Sequence, residues 1–370
     1  MRIPGFIKKV LLTNLLAIFL FLHCFSQHRL VLLHPTVSNI ENMVWMIENK
    51  VIDIPGIDLL GVYSSNEAYD YTLSAEYLRV HHLNYYHLQK VEEQILPDQI
   101  FRENGCTALF RKLFDESDAI LFFGGPDIPA AVYGEKQNLL TVVTDANRHY
   151  FETSFFFHLI GGSRNLSFKP FIADRPDFIV RGFCLGMQTM NVAAGGTLLQ
   201  DIPTECYHKK TLEETAALQV NDQHRSSLSP LYSSSELFDG IFHQISIAKS
   251  GYLAELARGS SSTLPMVLSA HHQAVGRLGS NLNVIATSID GKIVEGLQHA
   301  NFKNVVGVQF HPESASLYQP GKRFTTVPGT VFFPNELLIH SNSMNFHKLF
   351  WKDFSRLVED SKKYRYKSTK

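Results

Sequence analysis

A handful of short, nearly continuous apolar runs, each cut off by turn residues, constrains this chain more than any other feature. Leu30-Val31-Leu32-Leu33 stops at His34-Pro35, and Leu59-Leu60-Gly61-Val62-Tyr63 follows. Ala119–Phe123 runs straight into Gly124-Gly125-Pro126-Asp127, Phe178-Ile179-Val180 leads to a turn, and Val305–Phe310 meets His311-Pro312. Runs of this length without polar alternation read as strands buried on both faces. Helical patterns fall between them. Ser38 can cap a helix over Asn39–Lys50 with Ile40, Met43, Val44 and Ile47 on one side,. A second helix, Met187–Ala194, is stopped by Gly195-Gly196, and a terminal one spans Asn345–Val358,. Strands alternating with helices predict an α/β fold with a mostly parallel central sheet and helices on both faces. Between Leu282 and Gln298 short alternating strands flank Asp290-Gly291, a hairpin signal,.

The first 27 residues are a different material. Arg2, Lys8 and Lys9 precede an apolar run from Val10 to Leu22, and no acid occurs before Glu41. That is the pattern of a signal peptide with a cleavage point near Ser26-Gln27, and the run is short for a bilayer span. An exported protein, periplasmic or secreted, is expected; anchoring through an uncleaved N-terminus is the alternative. Cys24 follows His23, a poor fit to the small residue that lipidation sites want. The remainder, 28–370, reads as a single domain with insertions near 64–115, 161–177 and 314–334. The end, Lys362–Lys370, reads as a solvated tail.

Composition narrows the class. With 45% hydrophobic and 19% charged residues the chain is globular, and Lys+Arg 34 against Asp+Glu 35 leaves no basic excess for nucleic acid,. Four cysteines are too few for a disulfide scaffold,. Cys106 and Cys206 could pair in an oxidising compartment or remain buried thiols. His81, His82 and His87 lack an acidic or cysteine partner at ligand spacing, so no metal is expected there,.

Chemistry concentrates in Gly182-Phe183-Cys184-Leu185-Gly186-Met187-Gln188. A strand delivers a cysteine into a tight turn from which a helix starts at once, the thiol counterpart of the serine nucleophile elbow. The helix N-terminus favours a thiolate and offers the Leu185 N–H to an oxyanion. A buried structural cysteine would leave a similar trace. In Gln309-Phe310-His311-Pro312-Glu313, residues i and i+2 project to one side at a strand end, so Glu313 can orient the His311 imidazole,. The Gly124-Gly125-Pro126-Asp127 loop can bring a backbone N–H to a reacting carbonyl, or simply turn the chain.

Together these segments resemble the class I glutamine amidotransferase-like superfamily, and within it the γ-glutamyl-γ-aminobutyrate hydrolase group (peptidase family C26). Phe122–Ile128 with Tyr133-Gly134-Glu135 is similar to its G-G-x-D…Y-G-E block, Gly182–Gly196 to its nucleophile segment, Ser269–Val275 to its S-x-H-H-Q-A-V block, and Gly307–Glu313 to its last block. The resemblance implies a flavodoxin-like three-layer sandwich and a cysteine hydrolase of γ-glutamyl amides working through a thioester. Cys184 would be the nucleophile, His311 the base and acid, Glu313 its orienting residue, and Gly125 and Leu185 the oxyanion hole. Gly124, Gln188, His272 and Gln273 would lie near substrate. Arg148 and Phe151-Glu152 resemble an R-D-x-F-E helix of the group, with His149 in place of the Asp, where a packing role fits as well. No cofactor or metal is implied. The partners expected are a small γ-glutamyl substrate, no nucleic acid and no stable membrane span after processing, with a homodimer left open. A glutaminase subunit feeding ammonia to a synthetase, and a catalytically silent binding protein of the same fold, are the alternatives.

Overall fold

The structure is a computed structural model and describes residues 28–228, 237–260, 262–327 and 330–365. The export segment expected over 1–27, with Cys24, lies outside the described residues. Among the described residues no helix is long and apolar enough to cross a membrane.

The chain opens as alternating strands and helices: β1 (His28–Leu33), α1 (Val37–Glu48), β2 (Ile57–Ser64), α2 (Tyr71–Val80), β3 (Tyr86–Val91), α3 (Thr107–Glu116), β4 (Ala119–Phe122), α4 (Ala146–Ile160), β5 (Ile179–Phe183) and α5 (Leu185–Ala193). The short β6 (Leu198–Leu199), α6 (Ile202–Cys206) and α7 (Leu212–Ala216) follow. An antiparallel region then carries β7 (Ile241–Ile247), α8 (Tyr252–Arg258), β8 (Met266–Ser269), β9 (Ala274–Val275), β10 (Leu282–Ser288) and β11 (Val294–His299). The chain returns to the sheet centre as β12 (Val305–Val308). A small hairpin, β13 (Phe324–Val327) and β14 (Thr330–Phe332), and helices α9 (Pro334–His340) and α10 (Met344–Arg365) complete it.

One ten-stranded sheet runs in the order β3-β2-β1-β4-β5-β12-β11-β10-β7-β8. From β3 to β12 neighbours are parallel; from β12 to β8 they are antiparallel. The apolar runs behave as expected for strands buried on both faces. In β1, Leu30 and Leu32 enter one core while Val31 and Leu33 enter the other, and in β4 Leu121 and Phe122 divide likewise. Helix α10 seals the first core with Phe346, Phe350, Trp351, Phe354 and Val358; α4 seals the second with Phe151, Phe155, Phe156 and Phe157. The hairpin turns through Gly291 at φ +76°, as the Asp290-Gly291 pair predicts.

Several boundaries differ from expectation. Thr36, not Ser38, caps α1: it follows Pro35 in extended conformation, and its Oγ1 accepts the Asn39 N–H at 3.3 Å,. The stretch 64–115 is a regular part of the sheet, carrying α2, β3 and α3, with β3 as the outer parallel strand. Residues 161–177 join α4 to β5, so they sit at the amino edge of the sheet. Phe168 and Phe171 pack there against each other and against α4, where Phe168 lies 4.8 Å from the Phe157 ring. The supposed tail is helical to Arg365.

Candidate active site

Three adjacent parallel strands, β4, β5 and β12, end at the same edge, and each delivers one segment of the site. This is where ligands bind in open α/β sheets. Strand β5 hands the chain to Cys184, whose φ of 50° and ψ of −105° lie outside the ordinary wells,. The strain is held by the surroundings. The Cys184 N–H donates to Val308 O at 2.8 Å, and its carbonyl accepts from Met187 and Gln188 N–H at 3.0 and 3.2 Å. A Cβ on Gly186 would stand 2.3 Å from Phe122 O, and one on Gly182 2.6 Å from Gly186 O. Only glycine lets α5 begin this close to β4. Leu185 is the first residue of α5, so its N–H has no acceptor within the helix and lies at the positive end of the dipole,.

Beside β5, β12 leads into His311, whose Nδ1 lies 2.8 Å from Glu313 Oε1. The imidazole also lies beside Cys184. Burial opposes its charged form, but the adjacent Glu313 and Cys184 outweigh burial and hold His311 well above its ordinary value,. The intervening Pro312 carbonyl accepts from Trp351 Nε1 at 2.9 Å and from Tyr318 Oη at 2.8 Å, so α10 fixes the His-Pro-Glu segment. Gln309, two residues before His311 and on the same side of the chain, donates Nε2–H to Cys184 Sγ at 3.5 Å.

The loop after β4 closes the third side. A Cβ on Gly124 would lie 2.9 Å from His311 Cε1 and 3.6 Å from Cys184 Cβ; one on Gly125 would lie 2.1 Å from Arg148 Nη1. Arg148 is buried on α4, paired with Glu152 at 2.7 Å, and donates to Gly124 O at 3.0 Å and Phe123 O at 3.3 Å. It is thus a clamp on the glycine loop as well as a packing residue. Asp127 meets His272 Nε2 at 3.0 Å, and the other ring nitrogen meets Asp201 at 3.1 Å. Burial disfavours the cation, yet the two carboxylates raise His272 to about 9, so it bridges them as an imidazolium at neutral pH.

Cys184, Gly125, Gln188, Asp127, His272 and Gln273 line one cavity of about 690 Å³. Gly124, His311 and Glu313 line a second, smaller pocket. Gly124, Gly125, Cys184, Leu185, His311 and Glu313 converge directly. Gln188 and Gln273 line the wall with their amides engaged: Gln188 Nε2 donates to Gln273 O at 3.1 Å, and Gln273 Nε2 to Gln200 O at 3.2 Å. Sequence reasoning missed Gln309 and Asp201. Gln309 is marked only by standing two residues before His311; nothing local marks Asp201, which reaches the site only through tertiary folding. His81 and His82 lie exposed past α2, and His87 faces Asp58 from β3, so these three form no cluster. Cys106 and Cys206 are both free thiols.

A three-strand junction with a cysteine elbow, a histidine and a glutamate defines the class as a class I glutamine amidotransferase-like α/β protein. The family model described as Peptidase C26 matches residues 60–313, and the chain belongs to that family. The match includes part of the region before Asp115 that short motifs leave unaligned. A glutamine amidotransferase-like protein of Rickettsia prowazekii is 30% identical over 220 residues, covering 55% of this chain and 72% of that one. A protein of Mycobacterium tuberculosis named as a glutamine amidotransferase is 29% identical over 205 residues, covering 55% and 53%. A glutamine amidotransferase-like protein of Lactococcus lactis is 29% identical, covering 53% and 66%. The chain thus spans between about half and three quarters of these relatives' lengths. Among solved structures, a Thermoplasma acidophilum protein named for a GMP synthase component overlays 84% of this chain and 98% of its own, with a TM-score of 0.37 and 12% identity.

Proposed function

We propose that this protein hydrolyses γ-glutamyl amide bonds through a thioester on Cys184. The observation that carries the reading is the elbow cysteine beside His311, with Glu313 Oε1 2.8 Å from the ring's Nδ1. The Cys184 sulfur adds to the side-chain carbonyl of a γ-glutamyl group. The resulting oxyanion faces the N–H groups of Leu185 and Gly125. Collapse breaks the C–N bond, and the departing amine takes the proton held on His311. His311, again a base, then removes a proton from water, whose oxygen displaces the thiol and releases glutamate. Glu313 keeps the ring oriented and supports its charge. Lys209 and Lys210 line the cavity together with Asp222, and Arg225 is paired there with Asp239 at 2.8 Å.

The relatives' names favour one second reading, a glutaminase that passes ammonia to a partner. It shares the first half-reaction and differs in the leaving group and the partner. A panel of γ-glutamyl amides, glutamine included, separates the two. Glutamate release from substituted amides without any partner, absent in Cys184→Ala, supports the proposal. Release confined to glutamine, or stimulated by a copurifying synthetase, contradicts it.

A further inference from the structure

Behind the wall of the cavity just described, the antiparallel half of the sheet buries four potential ligands around one point: His224, His243, His271 and Glu295. They come from the segment before β7, from β7 itself, from the turn after β8 and from β11. Their candidate ligand atoms all lie within 4.8 Å of one another, and all four residues are at least nine-tenths buried. Glu295 Oε1 is 3.1 Å from His224 Nδ1, 3.7 Å from His243 Nε2 and 3.8 Å from His271 Nε2. Ligands about 2.0–2.1 Å from a tetrahedral zinc ion stand about 3.3 Å apart, so these separations bracket such an edge.

The hydrogen bonding is incomplete without a cation. His243 Nδ1 is 3.1 Å from Gln244 O, and His271 Nδ1 is 2.8 Å from Gln273 O. A carbonyl can only accept, so each Nδ1 carries the proton and each Nε2 presents a bare lone pair. Both Nε2 atoms lie within 3.8 Å of Glu295, whose two oxygens are themselves buried without a hydrogen-bond partner. Both ring nitrogens of His224 are likewise buried without a hydrogen-bond partner. Buried acceptors facing one another cost free energy that a bound cation reverses. Donation of the far ring nitrogen to a carbonyl is also the second-shell arrangement that orients metal-ligating histidines.

We infer that His224, His243, His271 and Glu295 form a binding site for a divalent transition-metal ion of the zinc type. Three imidazole nitrogens and one carboxylate oxygen suit zinc over magnesium or calcium. Four protein ligands leave no open position, which makes the site structural. It ties the segment carrying His224, which lines the cavity, to β7 and β11, and it holds His271 next to His272 and Gln273. No part of this depends on the reaction proposed for Cys184.

The test is metal content and coordination of the purified full chain. Protein loaded with Zn²⁺ and dialysed should retain about one equivalent. X-ray absorption should show a first shell of nitrogen and oxygen with imidazole scattering and no sulfur. Co²⁺ in its place should give the visible absorption of tetrahedral cobalt. Cys184→Ala should keep the metal, and Glu295→Gln and His243→Ala should each lower retention at least tenfold. Should both variants fail to fold, the wild-type shell still decides. Retention well below one equivalent, a shell containing sulfur, or loss of metal in Cys184→Ala overturns the inference.

Discussion

At the scale of single residues, the site depends on charges held where water would not hold them. Glu313→Gln keeps an acceptor for the His311 Nδ1 proton but removes the charge that sustains the imidazolium. Turnover is expected to fall by about 10²–10⁴ with the melting temperature little changed, read from steady-state kinetics beside thermal denaturation. His272 offers a pH signature. Folded, it titrates near 9 rather than near 6.5, because Asp127 and Asp201 grip the cation. A raised value stabilises the fold fully below about pH 6.5, and the gain disappears as pH rises through about 9. The contribution is on the order of 3 kcal/mol. Denaturant unfolding at pH 6 and pH 9.5 should show wild type losing stability across that window and His272→Gln losing less; parallel losses would remove the bridge from the account.

At the scale of elements, the glycine loop after β4 is shaped by α4. Arg148→Met should leave Glu152 buried and alone, costing about 3–5 kcal/mol, and should also free the Phe123 and Gly124 carbonyls. Replacing both partners, Arg148→Met with Glu152→Leu, should restore much of the stability without the rate, because the clamp on Gly124 is still missing. Chemical denaturation alongside kinetics separates the two effects; full recovery of rate in the double variant would reduce Arg148 to a packing residue. The elements themselves were largely legible in the sequence. Apolar runs such as Leu30–Leu33 and Ala119–Phe123 announce buried strands, because in a parallel sheet neither face may be polar. The Gly182–Gly186 spacing announces the elbow, because only glycine admits the approach of Phe122 O to α5. The register of partners was not legible. Asp201 reaches His272 across 71 residues, and the four buried ligands come from separate segments between His224 and Glu295 with no local spacing to betray them. The first cap was not legible either: Ser38 and Thr36 carry the same capping hydroxyl, and only the folded chain shows Thr36 as the extended residue whose Oγ1 takes the Asn39 N–H.

At the scale of the molecule, a sheet that is parallel at one end and antiparallel at the other separates two tasks. The parallel end aligns three strand termini into the cysteine site. The antiparallel end carries the cavity wall and the four-ligand cluster. The loops expected to set substrate choice divide accordingly: 314–334 follows β12 at the site edge, whereas 161–177 lies at the opposite edge and should tolerate shortening with little change in KM. Export remains our proposal from the basic and apolar start of the chain. Intact mass of the protein recovered from an exporting host should correspond to cleavage near Ser26-Gln27; a mature form still beginning at Met1 would exclude cleavage.

The central claim, covalent catalysis at Cys184, is tested most directly by trapping the intermediate. Wild-type protein mixed with a γ-glutamyl amide, quenched in acid within a single turnover and digested, should yield a γ-glutamyl adduct on the peptide containing Cys184. The adduct should decay as free glutamate appears and should be absent from Cys184→Ala. Glutamate release with no adduct at any time, and undiminished in Cys184→Ala, would contradict the account.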